Sequence, residues 1–335
     1  MNPKAVHCLL DVMAFALEAG SRIEYRPLYC GAWDDPFTVT AEGALSYYSP
    51  ELTNDTYLAA FNRLYGRTPG SWYQYSWSKK RNYMTLLELL EQRSENESLL
   101  VQLDLYYMPY PTRCYETLHR PHFVMVDRQY GDDIYIRDPY FGWEGDVPLT
   151  ALQNAFYGNE LGGGVTVRLA ELEHPTAARI ASEFEARFDG ERFRLADAFQ
   201  EIVHGALAGG ADMSVRALGS SVDQLGIIAR RKYSYSKVSS FFAEALGETP
   251  DPLEERVNGL VKGWMNAGYA SIRASIRQSR EDVVQLADKA AALREEERKL
   301  KRELRRLYER WKEARYESER TGTDRVLGRT GEARQ

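Results

Sequence analysis

The sequence predicts an α+β domain followed by an all-helical domain that ends in a long charged helix. Three observations carry this. Up to about residue 172, short apolar, β-branched and aromatic runs bounded by turn residues are mixed with amphipathic helical stretches. After Pro175 strand signals stop and helical periodicity takes over. From about residue 281 to 319, Leu286, Ala290, Leu293, Glu297, Leu300, Leu304, Leu307 and Trp311 recur at alternating four-three spacing, a heptad seam. The expected division is residues 1–172, residues 173–320 and a flexible tail over 321–335.

Each element follows from local pattern. Residues 5–19 place Val6, Leu9, Leu10, Met13, Ala16 and Leu17 on one helical face, with Gly20 as the expected C-cap. Residues 21–40 read as strand-like segments with turns. Residues 55–65 and 82–93 read as helices, the first capped near Asn54 or Asp55. Residues 98–107 read as a buried strand and the Pro-rich stretch after it as a loop. His122 to Gln129 and Asp133 to Pro139 make a hairpin around Gly131. Residues 165–169 form a last strand. Helices are expected over 177–188, 194–208, 214–231 and 251–279, the last as one or two pieces.

Bulk properties bound the function. A chain of 335 residues with 44% hydrophobic residues can bury a sizeable core. A net charge of −6 argues against nucleic acid as a general partner. No apolar run approaches the ~20 residues that span a bilayer. Three cysteines, Cys8, Cys30 and Cys114, without a signal peptide fit a reducing cytoplasm. The five histidines show no metal-ligand spacing, so no metal site is expected. Gly162-Gly163-Gly164 precede a strand, not a helix carrying Lys-Ser or Lys-Thr, so no nucleotide loop and no bound cofactor is expected.

Three positions carry chemistry when taken together. Cys8 lies in the first turn of the first helix, where the dipole and free N–H groups favour a thiolate. His122 opens an apolar strand. Asp138 closes the strand that pairs with it, within reach of the imidazole. Nucleophile, base and orienting acid are the parts of a cysteine acyl-transfer site. Each has a plainer reading: a small core cysteine, a strand-end histidine bonded to a carbonyl, an Asp-Pro turn. His119 competes for the role of base but has no strand behind it.

The His-Cys opening, the His-Phe-Val-Met-Val strand and the following Asp-Pro resemble papain-like acyltransferases such as the N-terminal domain of the butirosin biosynthesis H protein. The His-strand-Asp-Pro half also resembles C39-type cysteine peptidases. The runs GAWDDPFTVTAEGALSYYS, HRPHFVMV, RDPYFGWEG and LGGGV are similar to the petrobactin-biosynthesis acyltransferases (AsbE-like). That resemblance implies a papain-like fold over residues 5–175. It implies transfer of a 3,4-dihydroxybenzoyl group from a carrier-protein phosphopantetheine thioester to spermidine or a citryl-polyamine. Matched residue by residue, the nucleophile is Cys8, the base His122 and the acid Asp138. The alternatives are a peptidase or amidase with the same triad, or a silent scaffold using the seam.

One departure matters. Papain-like peptidases place a glutamine upstream of the cysteine to help form the oxyanion hole, and none precedes Cys8. His7 and Asn2 are the nearby side-chain donors, and the Gly31-Ala32-Trp33 backbone is another source. For a cationic acceptor, Asp34 and Asp35 beside Trp33 and Glu144 beside Trp143 have suitable chemistry, although surface turn acids look the same. The heptad seam fits a homodimer or an intramolecular helical hairpin. Lys299, Lys301, Arg302, Arg305 and Arg306 would offer a carrier protein a basic face, or simply a solvated one.

Overall fold

A computed structural model describes residues 2, 4–209, 214–248, 251 and 253–321. The chain starts with α1 (Cys8–Ser21), followed by two short 3-10 turns at 26–29 and 32–34. A two-residue ladder joins β1 (Thr38–Val39) to β2 (Leu45–Ser46), then come α2 (Asn54–Tyr65), β3 (Gly70–Ser71) and α3 (Lys79–Gln92). The sheet is completed by β4 (Glu97–Asp104), β5 (Pro121–Tyr130), β6 (Asp133–Asp138), β7 (Trp143–Pro148), α4 (Leu149–Gly158) and β8 (Gly164–Arg168). Its order is β3-β8-β4-β5-β6-β7, with every neighbouring pair antiparallel.

The helical half contains α5 (Ala177–Arg187), α6 (Arg194–Ala208), α7 (Leu218–Ser221), α8 (Leu225–Ala229), α9 (Ser234–Ala245), α10 (Glu254–Arg277) and α11 (Arg280–Thr321). An α+β region followed by a helical one is thus what the sequence predicts. The expected tail from residue 322 onward lies outside the described residues.

The unbroken apolar run in β4 has a physical cause. Leu100, Phe123 and Met125 face the cluster that holds α1, whereas Leu99, Val101, Leu103, Val124 and Val126 face α3 and α4. A sheet covered on both faces needs apolar residues at successive positions rather than at alternate ones. The α1 side of the sheet continues into the helical half, whose Phe184, Phe199, Trp264 and Trp311 belong to the same cluster. Sheet and helices therefore share one core.

Some expectations are corrected. Residues 21–40 form two 3-10 turns in otherwise irregular chain, with strand only at 38–39. Helix α1 ends in Arg22, at φ 54°, rather than in Gly20. Gly20 is needed for another reason: a Cβ there would lie 2.2 Å from Leu169 Cδ1. The helix expected over 214–231 is broken into α7 and α8, with Gly219 and Gly226 within it. Gly164 allows β8 to close on β4, since a Cβ would sit 1.9 Å from the Leu100 carbonyl oxygen.

The seam of α11 is buried within this chain. Leu286, Ala290, Glu297, Leu300, Leu304 and Trp311 are all buried, and α11 packs on α6, α9 and α10. The seam is thus filled from within the chain, as the helical-hairpin alternative expects. Lys301 is corrected as well: it is fully buried, its ammonium on Asp34 and on the carbonyls of Asp189 and Arg192. Lys299, Arg302 and Arg305 are ion-paired along the helix with Glu296, Glu295 and Glu309. Arg306 is exposed.

Candidate active site

Cys8 is the first residue of α1, and the segment before it is tied down by Asp11. One Asp11 oxygen accepts the Val6 and His7 N–H groups at 2.9 and 3.2 Å, and the other accepts the Tyr29 hydroxyl at 2.7 Å. Burial pushes the Asp11 carboxyl up, and these donors together with Lys237 pull part of the way back, leaving it at about 6. His7 is the N-cap, its Nδ1 accepting the Leu9 N–H at 3.2 Å.

The hairpin delivers the other two groups. His122 opposes Leu103 near the start of β5, and Asp138 ends β6. Gly131, at φ 59°, makes the turn, and a bulge between Val126 and Arg128 shifts the register. Asp127, at the bulge, bonds Arg93 and Arg137. His122 Nε2 lies 2.8 Å from Asp138 Oδ2. Both side chains are buried, His122 at 4% exposure and Asp138 at 0%. With Nε2 engaged by Asp138, Nδ1 is the ring nitrogen left free to act on Cys8, whose sulfur adds to the shift of the imidazole. The structure therefore pairs His122 with Asp138 and brings Cys8 close enough to influence the imidazole.

Electrostatics favour the protonated form of His122. Burial alone would keep His122 neutral. The Asp138 carboxylate and the Cys8 sulfur outweigh it and raise the imidazole to about 10. An imidazolium beside Cys8 is the partner that a thiolate requires. The rings of Tyr140 and Phe141 pack on His122 at 5.3 and 5.2 Å and limit its rotation.

Sequence reasoning missed the support of Asp138. Tyr110 donates its hydroxyl to Asp138 Oδ2 at 2.7 Å, and the Phe141 N–H donates to Oδ1 at 3.1 Å. Trp143, opposite Asp138 in the ladder, stacks on Tyr110 at 4.0 Å, so it backs the acid. The only signal for Tyr110 was its place in a Pro-rich loop before the strand.

His119 makes its own pair with Asp104 at 2.6 Å, stacked on Tyr106 and with a largely exposed side chain. Glu144 is exposed and lies 4.0 Å from Arg137. Asn2 is engaged with Pro139, Tyr140 and Lys4 backbone groups.

Trp33, Asp34 and Asp35 lie in the seam with the helical half, all buried. Trp33 stacks on Tyr235 at 4.6 Å, and its carbonyl accepts from Lys232. Asp34 is held by Lys301 and Lys232, and Asp35 by Arg187 and Tyr57. Their carboxylates are spent on this chain's own cations and a hydroxyl.

That seam reaches the site. Arg231 donates to the carbonyls of Asp35, Pro36 and Tyr47 at 2.9–3.0 Å and lies over the Tyr47 ring. Gln224 accepts the Tyr47 N–H at 2.8 Å. Tyr47 stacks on His7 at 5.9 Å, and Tyr57 tilts against it at 4.5 Å. The lip beside Cys8 is therefore fixed by residues beyond 220.

Among the described residues, no group of three or more His, Cys, Asp or Glu is placed to hold a metal ion, and no helix is long and apolar enough to cross a membrane.

Comparison with known proteins fits this division of labour between a sheet and a helical half. A petrobactin synthase from Bacillus anthracis is 28% identical over 317 residues, which is 93% of this chain and 97% of that protein. Residues 4–172 match the DUF6005 N-terminal domain and residues 178–325 the DUF6005 C-terminal domain. With matches to both domains over nearly its whole length, the chain belongs to the DUF6005 family.

Proposed function

We propose that this protein is an acyltransferase of siderophore biosynthesis. It moves an aroyl group of the 3,4-dihydroxybenzoyl type from a carrier-protein thioester to a primary amine of spermidine or a citryl-polyamine. The observation that carries the reading is the Cys8–His122–Asp138 chain in a protein related along most of its length to a petrobactin synthase. The cysteine on a helix N-terminus and the histidine and acid on adjacent strands support a papain-like arrangement of the catalytic half.

The chemistry follows from the groups present. Cys8 Sγ attacks the thioester carbonyl while His122 carries the thiol proton. The tetrahedral adduct collapses, the new Sγ–carbon bond remains, and the pantetheine sulfur leaves with the proton from His122. The amine nitrogen attacks the acyl-Cys8 carbon, His122 takes its proton, and collapse forms the amide and returns Cys8. The phosphopantetheine arm belongs to the carrier protein. The thioester supplies the activation. On this reading, exposed Arg306 and the paired Arg302 and Arg305 of α11 would meet an acidic carrier.

Intact-protein mass after mixing with an aroyl-loaded carrier protein tests the reading. A single aroyl adduct, absent in Cys8→Ala and discharged by spermidine to an amide, is the expected result. An adduct on another cysteine, or discharge to free acid regardless of amine, would sink it.

A further inference from the structure

The site as described has one clear gap: a group to meet the negative charge that develops on the thioester oxygen. The Cys8 N–H supplies one donor. As the first residue of α1 it has no intrahelical partner, and among the described residues it has no other. One donor falls short of the usual pair.

We infer that His7 is the second donor, its Nε2–H stabilising the oxyanion when Cys8 attacks, a role that rests on the acyl-transfer reading above. Four observations converge. His7 precedes the nucleophile and its ring sits over the helix N-terminus, because Nδ1 accepts the Leu9 N–H. That bond fixes the tautomer: with Nδ1 as acceptor, the proton of a neutral ring is on Nε2. Among the described residues Nε2 has no hydrogen-bond partner. The ring is clamped between Tyr47 and Tyr57, with Arg231 behind Tyr47, so the donor is positioned before substrate arrives.

The ring also stays neutral. Burial, then Arg231, then His122 depress His7 to about 3. It donates without carrying a proton that could pass to the leaving thiol. The two histidines therefore divide the work: His122 moves protons and His7 holds charge. Asn2, the other side-chain donor near Cys8 in the sequence, is occupied by the turn after β6.

In the step itself, the Cys8 Sγ–carbon bond forms and the carbonyl π pair moves onto oxygen. That oxygen accepts from the Cys8 N–H and His7 Nε2–H, and it gives the pair back as the pantetheine sulfur departs. No proton crosses between His7 and substrate.

The test compares two reactions of Cys8 in the full chain. Acylation by S-benzoyl-N-acetylcysteamine passes through an oxyanion, whereas alkylation by iodoacetamide does not. His7→Asn keeps a good helix cap but cannot reach where Nε2 lies. It should slow acylation on the order of 10²-fold and leave alkylation within about threefold. His7→Gln, which regains length and an N–H, should recover part of the loss. If acylation and alkylation fall together, or if neither falls, His7 is a structural cap only. If wild type gives no acyl-Cys8 at all, the acyl-transfer reading itself fails and takes this role with it.

Discussion

Tyr110 and His122 meet on one oxygen: Asp138 Oδ2 accepts the phenol at 2.7 Å and faces the imidazole Nε2 at 2.8 Å. A fully buried carboxylate thus shares its charge between a ring whose protonated form it favours and a hydroxyl that holds it in place. Asp138→Asn removes the charge and leaves burial to act on His122, so the imidazole should fall well below its present position near 10. Turnover should drop on the order of 10²–10⁴-fold. Tyr110→Phe should have the opposite sign on the ring. It removes a competing donor, so the alkaline limb of the pH–rate profile moves up, while stability falls by about 1.5–3 kcal/mol. A downward shift for Tyr110→Phe would contradict this geometry.

The same ring makes stability depend on alkaline pH. His122 is raised from its unfolded value near 6.5 to about 10. Its contribution is fully present below pH 6.5 and is lost as pH climbs toward 10. In chemical denaturation from pH 6.5 to 10, His122→Gln should flatten part of the wild-type decline.

His7 acts on the acid side. Depressed from 6.5 to about 3, it binds its proton more weakly in the folded state. Stability should therefore fall as pH drops from 6.5 toward 3, by an amount on the order of a few kcal/mol. Asp11, raised to about 6, works with the opposite sign in the same window, so the informative quantity is wild type minus His7→Asn. An unchanged acid slope in the variant would mean that His7 charges freely.

Arg231 ties the lip beside Cys8 to the helical half through three carbonyls. Arg231→Met should lower stability by about 3–5 kcal/mol, because Asp35 and the three carbonyls lose a buried cation. Gln224→Ala, which frees only the Tyr47 N–H, is the milder probe. It should raise KM for the acyl donor more than it lowers kcat, since Tyr47 walls the site without touching the sulfur's proton path.

On α11, Lys301→Glu should prevent folding or cost more than about 3 kcal/mol, since it sets a second carboxylate against Asp34. Arg306→Glu, on the exposed side, should stay within about 0.5 kcal/mol. Equal effects would mean that the burial of Lys301 is wrong.

How far the sequence could be read depended on the range of each interaction. Cys8, His122 and Asp138 were legible because each sits at the end of an element whose periodicity is local. The hairpin that joins two of them turns on Gly131. Tyr110 was not legible, because a loop does not encode which way its side chains return. Strand β7 escaped because Gly145 and Asp146 interrupt its pattern. Asp34 and Asp35 looked like surface turn acids because their cations lie far along the chain, Lys301 being 267 residues from Asp34. The heptad seam was legible as a seam. Its period could not tell whether its partner was another chain or the same one.

The contact between Asp34 and Lys301 also sets the order in which the molecule can be finished. Asp34 and Lys232 are buried against apolar neighbours, and Glu297 and Lys301, which neutralise them, lie on the last helix. A chain still on the ribosome, complete through β8, holds Cys8, His122 and Asp138 but has an uncompensated carboxylate where the lip must settle. The lip around His7 is braced by Arg231 and Gln224, and α11 supplies Lys301 and Glu297 to the neighbouring Asp34–Lys232 pair. A chain that stops short of α11 should therefore leave Asp34 and Lys232 without their neutralising partners, and the fold around the lip should be less stable for it.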